Sequence, residues 1–237
     1  MVGRVRRVVS TRAGGRSVGE FSSFNLSIGV GDFPGDVAAN RRRLSAELAV
    51  PVVFLEQIHG NRVAVVDAVP GPDDPDREAT DAVVTALPGV GVAVLAADCV
   101  PVLLADPAAG VVGAAHAGRV GAAAGVIPAV VEAMVGLGAR VGAIEVLLGP
   151  AVCGGCYEVP AALRAQVDAR LPGSAVLTRK GTPGLDLRAG LYHQLTALGV
   201  ARIGADPRCT MEDRSLYSHR REGRTGRLAA ITWLDAS

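Results

Sequence analysis

The sequence predicts an α+β protein: a single layered domain over residues 1–237, with mixed β-sheets covered by helices. Three observations carry that expectation. Strand-like segments outnumber helical ones, and some are separated only by turns. The stretch Val92–Gly118 reads as three short buried strands, interrupted by Asp98-Cys99 and by the turn Asp106-Pro-Ala-Ala-Gly110. Apolar residues make up 49% of the chain but aromatic ones only 3%, so the core must be built from Ala, Val and Leu.

In chain order, Val5–Thr11 is rich in Val and Thr and opens as a strand. Arg12–Gly35 is a long glycine-rich loop holding Phe21, Phe24 and Phe33. Loops of that length are often binding loops, and these rings suit either stacking on a planar ligand or pinning the loop to the core. Asp36 is placed to N-cap a helix to about Ala49, with Val37, Leu44 and Leu48 as its buried stripe. The arginine run at Arg41 faces solvent or reaches an anion. Pro51–Gln57 and Arg62–Val66 read as strands joined by Ile58-His-Gly-Asn61, a hairpin by its Gly-Asn pair. The acidic, proline-rich Pro70–Arg77 is an exposed connection, followed by a strand at Asp81–Thr85 and a turn at Pro88-Gly89. Beyond the central stretch, Ala122–Leu137 reads as one helix with Pro128 near its start. Val141–Leu148 is a strand, Pro160 opens a helix to about Leu171, and Leu187–Leu198 is a helix ended by Gly199. Asp206–Thr225 is polar and irregular, and Leu228–Leu234 closes as a strand.

The net charge is +1, and Lys180 is the single lysine among 24 basic residues, so no surface for nucleic acid is expected. Met1–Ser10 has charges but no apolar segment, which does not describe a signal peptide. Asp98, Asp106, Pro88, Pro101 and Pro107 interrupt the apolar run Val83–Ala117, which argues against a membrane span. The expectation is a soluble cytoplasmic monomer acting on small molecules. Its four cysteines are then reduced thiols or metal ligands rather than disulfides.

A carboxylate, a thiol and an imidazole at the ends of buried strands are costly unless something pairs with them. That marks Asp98, Cys99 and His116, and His59, at a strand end before a turn, is a partner for them. His59, Cys99 and His116 make a reasonable zinc set, and three protein ligands with an open fourth position describe a catalytic site. Their spacings of 40 and 17 residues match no compact zinc-finger pattern, so a satisfied polar cluster, or residues that never meet, also fits. A metal-free variant has Cys99 as nucleophile and His116 as its base. Cys153-Gly-Gly-Cys156 has redox or metal spacing without a second pair in register, and an incidental pair is favoured. Ser218–Gly226 combines arginines with glycines, which suits phosphate binding or a solvated loop.

Many short motifs occur in one order: Ser10-Thr-Arg, Phe24-Asn-Leu26, Asn40-Arg41, Gln57-Ile-His-Gly60, Asp81-Ala-Val-Val-Thr85, Ala97-Asp-Cys-Val-Pro101, Ala115-His-Ala-Gly118, Gly149-Pro150, Cys156-Tyr-Glu-Val159 and Ser218–Arg221. Together they resemble the YfiH family, known as peptidoglycan editing factor and as multicopper polyphenol oxidase (laccase). Its members are also described as purine nucleoside phosphorylases with adenosine deaminase activity. The resemblance implies a single YfiH-like, cytotoxic-necrotizing-factor-like domain with a zinc ion on His59, Cys99 and His116. It implies phosphorolysis of adenosine, inosine, guanosine and methylthioadenosine. Cys99, His116 and Asp98 are then the catalytic candidates, and Arg12, Asn25, Arg41, Gln57 and Arg220 the candidates for substrate and phosphate. Copper is the lesser alternative, because four histidines are few for a multicopper centre. A cell-wall-precursor hydrolase using Cys99 as nucleophile, a polyphenol oxidase and a pure binding protein are the competing functions. One departure stands out: the family usually continues His-Ala-Gly-Trp-Arg-Gly, whereas this chain has Arg119 and Val120 at the last two variable places. At His219 the family more often has Tyr.

Overall fold

The computed structural model describes residues 3–71 and 74–236. Met1 and Val2 of the amino terminus, and Pro72 and Asp73 of the acidic connection, lie outside the described residues. The elements run β1 (Val5–Val9), α1 (Pro34–Leu48), β2 (Val52–Val53), β3 (Val63–Val66), β4 (Ala82–Thr85), β5 (Gly91–Ala96), β6 (Val100–Asp106) and β7 (Val111–Ala117). They continue α2 (Arg119–Ala123), α3 (Val126–Gly136), β8 (Glu145–Leu148), α4 (Ala161–Asp168), β9 (Ala175–Leu177), β10 (Pro183–Leu185), α5 (Leu187–Ala197), β11 (Arg202–Ala205), α6 (His219–Glu222) and β12 (Leu228–Leu234). The class is the expected α+β.

Two mixed sheets form, one ordered β1-β12-β5-β2 and the other β11-β8-β6-β7-β4-β3. They stack face to face. Val92, Val94 and Ala230 of the first meet Leu103, Ala105 and Val112 of the second. Because strand side chains alternate, the other residues of the same strands face outward. Ala93 and Leu95, with Ile231 and Trp233, pack under Phe24, Leu26 and Leu44 of the loop and α1. Val102 and Leu104 pack under Ile127, Met134, Leu191 and Leu195 of α3 and α5. Burial on both faces is why β5, β6 and β7 read as unbroken apolar runs rather than alternating ones. Each such Leu or Val stabilises the fold by about 1.5–3 kcal/mol. Among the described residues, no helix is long and apolar enough to cross a membrane.

Three local expectations are corrected, and three strands are added. Pro51–Gln57 and Arg62–Val66 are not a hairpin: β2 pairs in parallel with β5 and β3 in parallel with β4, so they enter different sheets. The helix expected at Ala122–Leu137 is two helices, α2 and α3, divided at Gly125, whose φ of 87° ends one and begins the other. Phe33 rather than Asp36 is the N-cap of α1; Pro34 takes the first helical position, and Asp36 sits in the first turn where its charge suits the helix dipole. The short, partly exposed strands β9, β10 and β11 lack a recognisable apolar run and were not anticipated.

Candidate functional site

Pairing of β4 with β7 sets Ala82 opposite Ala115, which brings Asp81 against His116. The His116 backbone N–H donates to the Asp81 carbonyl at 2.7 Å. The Asp81 carboxylate is completely buried. It accepts from the N–H groups of Ile58 (3.2 Å), His59 (2.9 Å) and Gly60 (2.6 Å), and from Nδ1 of His116 (2.9 Å). Burial opposes its charge, but the hydrogen bonds from His116 and from the backbone win, and its pKa falls below the usual carboxylate range. A carboxylate can only accept, so Nδ1 of His116 carries a proton toward Asp81, and Nε2 is the nitrogen that would meet a ligand once its own proton is displaced.

The same carboxylate holds His59 in the left-handed region, with φ at 62°. Asp98 is also left-handed, with φ at 91°. Such conformations cost a non-glycine residue of order 1–3 kcal/mol and persist only when neighbours over-determine them. For Asp98 those neighbours are the hydroxyls of Thr210 (2.6 Å) and Ser218 (2.7 Å) and the Arg220 backbone N–H (2.6 Å). This turn delivers Cys99, whose Sγ lies 3.9 Å from Nε2 of His59. The rings of His59 and His116 meet edge to face at 4.8 Å. The ligand atoms of His59, Cys99 and His116 all lie within 4.8 Å of one another. Gly118 is needed beside them, because a Cβ there would lie 2.8 Å from His59 Cδ2 and 3.0 Å from Cys99 Sγ.

Burial pushes the Cys99 thiol up, but the charge and hydrogen bonds of His116, with help from His59, outweigh it and bring it to about 6. Burial likewise opposes an imidazolium at His116, and the Cys99 thiolate and Asp81 overcome it, raising the pKa to about 9. The pair therefore favours a thiolate. Two imidazoles and a thiolate, with one imidazole oriented by a buried carboxylate, are a donor set that fits a zinc ion.

The three residues open on a cavity of about 810 Å³, a volume suited to a small organic ligand. Arg119, Arg220 and Arg227 line it, as do Gln57, Tyr157 and His219. Gln57 is fixed by a pair of hydrogen bonds to Leu95, accepting from its N–H at 2.7 Å and donating to its carbonyl at 2.8 Å. The Arg220 guanidinium lies 4.9 Å from the centre of the Tyr157 ring. Arg227 is held from behind: Asn25, buried, accepts from its backbone N–H at 2.9 Å. Burial lowers the Arg227 pKa, and Cys99 and Asp98 act against that shift.

Asp98, Cys99, His116, Gln57 and Arg220 thus come together, whereas Arg12 and Arg41 lie elsewhere. Arg12 pairs with Glu222 at 2.7 Å and stacks on Tyr217. Arg41 makes a bidentate pair with Asp76 at 2.6 and 3.0 Å and lies over Phe54. It borders a second cavity of about 590 Å³ beside α1, which has no His or Cys in its wall. Phe21 and Phe24 are buried, so they pin the glycine-rich loop rather than offer a stacking surface, and Phe33 is exposed. Cys153 and Cys156 are joined by Cys209 and Glu212, an association that spacing alone did not reveal. Sequence reasoning missed Asp81, Gly118 and Arg227 as site residues. For Asp81, an Asp opening an apolar strand is the one signal that the sequence carries.

Comparison with known proteins extends this picture. Residues 6–235 match the family model described as multi-copper polyphenol oxidoreductase laccase. A protein of Mycobacterium tuberculosis named purine nucleoside phosphorylase is 52% identical over 235 residues, 98% of this chain and 93% of its own length. One of Corynebacterium glutamicum with the same name is 52% identical over 233 residues, 97% and 94% of the two chains. Among solved structures, YlmD from Geobacillus stearothermophilus superposes with a TM-score of 0.90 at 35% identity, covering 98% of this chain and 92% of that one. The YfiH protein of Bacillus licheniformis gives 0.89 at 31% identity, over 97% and 92%. The matched residues, the relatives and the shared architecture make this chain a member of the YfiH, or multi-copper polyphenol oxidoreductase laccase, family.

Proposed function

We propose that the chain is a zinc-dependent purine nucleoside phosphorylase with an adenosine deaminase side activity. The observation that carries this is the convergence of His59, Cys99 and His116 in the wall of a cavity that Arg119, Arg220 and Arg227 also line. The name borne by relatives at 52% identity supports the same reading. Phosphorolysis of adenosine, inosine, guanosine or methylthioadenosine attacks C1′ of the sugar with a phosphate oxygen. The C–N bond breaks with its electron pair going to the base, which leaves as the free purine once protonated. The sugar is cation-like on the way, so the phosphate must be held close and the departing base stabilised.

Arg220 and Arg227 hold the phosphate, and Arg119 adds a third positive charge at the first turn of α2. Tyr157 offers the purine a flat surface. Asp98 orients the loop that carries Arg220. Asp81 keeps Nε2 of His116 turned toward the ligand site, and Cys99 supplies the thiolate there. When bound to these three residues, zinc supplies a Lewis acid that polarises a substrate atom or acidifies a water. Zinc suits this set better than copper clusters, because only two of the four histidines belong to it. The single domain expected over residues 1–237 suits this reading, since both sheets of the described residues share one core layer. Free thiols fit the cytoplasm, and the ligands are small molecules taken by a monomer.

The test incubates purified protein with adenosine, with and without phosphate, and measures adenine and inosine beside zinc content. Adenine release that requires phosphate supports the proposal. Cys99→Ala should abolish turnover and lower bound zinc, and full activity in that variant would sink it. A second reading, a hydrolase with Cys99 as nucleophile, is favoured by the lowered thiol pKa. It needs no phosphate, so a cell-wall-precursor substrate cleaved equally well without phosphate would select it.

A further inference from the structure

Two loops that frame the cavity carry a second group of soft ligands. Cys153, Cys156 and Cys209, with Glu212, present ligand atoms that all lie within 4.8 Å of one another. Backbone geometry sets them there. After β8 the chain turns at Cys153-Gly-Gly-Cys156, the N–H groups of Cys156 and Tyr157 donating to the Cys153 carbonyl at 2.9 and 3.0 Å. After β11 it turns again, the N–H groups of Glu212 and Asp213 donating to the Cys209 carbonyl at 3.0 and 2.8 Å. A β-bridge between Ala151 and Cys209 ties the loops together, and the Thr210 N–H donates to the Ala151 carbonyl at 3.2 Å.

The donors suit one kind of ion. A Cys-x-x-Cys turn, a third thiol and a carboxylate make four ligands, a closed tetrahedral set for zinc with no open position. Zinc–sulfur bonds of about 2.3 Å place sulfurs roughly 3.8 Å apart, which the observed spread reaches with small side-chain rotations. The Cys153 N–H already donates to Cys209 Sγ at 3.4 Å, and Cys156 Sγ lies 3.6 Å from Glu212 Oε1. Three thiolates, a carboxylate and a divalent cation together carry a net charge of about −2. Arg179, from the turn between β9 and β10, is placed to offset it: its Nη1 donates to Cys156 Sγ at 3.3 Å and to Glu212.

We propose that Cys153, Cys156, Cys209 and Glu212 form a structural zinc site, separate from His59, Cys99 and His116, that staples the loop after β8 to the loop after β11. The second loop continues into Thr210, Ser218 and Arg220, which hold Asp98 beside Cys99. A metal at this staple therefore fixes one wall of the cavity without touching a substrate.

The test uses the full chain carrying Cys99→Ser, which removes the sole thiol of the first set. Cobalt(II) added to it should give thiolate-to-cobalt absorption that saturates at one equivalent, and adding Cys209→Ser or Cys156→Ser should erase it. No thiolate band, or a band that survives both substitutions, overturns the site. Should Cys99→Ser not fold, the wild-type chain answers instead, by peptide mapping of alkylated cysteines. With zinc, Cys153, Cys156 and Cys209 should all resist alkylation and become reactive on chelation. Full reactivity of the three with zinc present, or a Cys153–Cys156 disulfide in their place, overturns the proposal.

Discussion

Asp81→Asn is the sharpest perturbation of the site, because it changes no shape and touches no solvent. The carboxylate is completely buried and accepts four hydrogen bonds, three from backbone N–H groups and one from His116. An Asn keeps one acceptor oxygen. Whichever way its amide turns, the NH2 faces two donors: either His59 and His116, or Ile58 and Gly60. Each buried donor left without an acceptor costs about 1–3 kcal/mol, so the variant should lose roughly 2–6 kcal/mol of stability. The His59 loop loses its anchor at the same time, and the protonation pattern of His116 is no longer enforced. Removing such an outer partner typically weakens metal binding by about 10- to 100-fold. Urea unfolding of the chelated protein measures the first effect, and competition with a chromophoric zinc chelator the second. A variant within about 0.5 kcal/mol of the wild type that binds zinc as tightly would refute the role given to Asp81.

Other consequences follow from the same geometry. In the metal-free chain, His116 is raised from 6.5 to about 9 and Cys99 lowered from 9.0 to about 6. The imidazolium's stabilisation is complete below its unfolded pKa and lost as pH rises through about 9; the thiolate's is complete above its unfolded pKa and lost as pH falls through about 6. These slopes oppose each other, so the pair should leave stability nearly flat between those pH values, while Cys99 alkylation, followed by mass spectrometry, rises with a midpoint of about 6. His116→Asn should move that midpoint upward, and an unmoved midpoint would remove His116 as the cause. Gly118→Ala keeps an ordinary backbone but drives a methyl against two ligands, and should lower zinc affinity at least roughly tenfold with the fold intact by circular dichroism. Arg220→Met should remove a charged contact of about 1.5–3 kcal/mol, raising the KM for phosphate by roughly 10- to 100-fold with a smaller change in that for nucleoside.

The central strands were legible because burial on both faces leaves a chain little choice of residue. Gly91–Ala96, Val100–Asp106 and Val111–Ala117 match the three runs read from composition alone. Cys99 and His116 stood out there for the same reason, as polar groups set in apolar strands. What sequence could not supply was which sheet each strand would join. The Gly-Asn pair after His59 suggested a local turn, yet β2 pairs with β5 and β3 with β4, each beyond that turn. Arg41 and Arg12 looked free in sequence because Asp76 and Glu222, which neutralise them, are 35 and 210 residues away. Asp81 failed for the opposite reason: its four donors come from backbone and from one distant side chain, and backbone donors leave no trace in composition.

The position of the proposed metal ligands follows from the way the chain passes between the sheets. It crosses from the four-stranded to the six-stranded sheet twice early on, from β2 to β3 and from β5 to β6. His59 lies on the first crossing and Cys99 on the second, and His116 ends the neighbouring strand. Each crossing also holds a left-handed non-glycine residue, His59 itself and Asp98. Glycine would relieve either strain of order 1–3 kcal/mol at no steric cost. At position 59 it would remove a proposed ligand, and at position 98 the carboxylate that gathers Thr210, Ser218 and Arg220. On the proposed function the strain serves the site: both residues contribute their side chains, and hydrogen bonds to carboxylates hold the backbone where those side chains are needed.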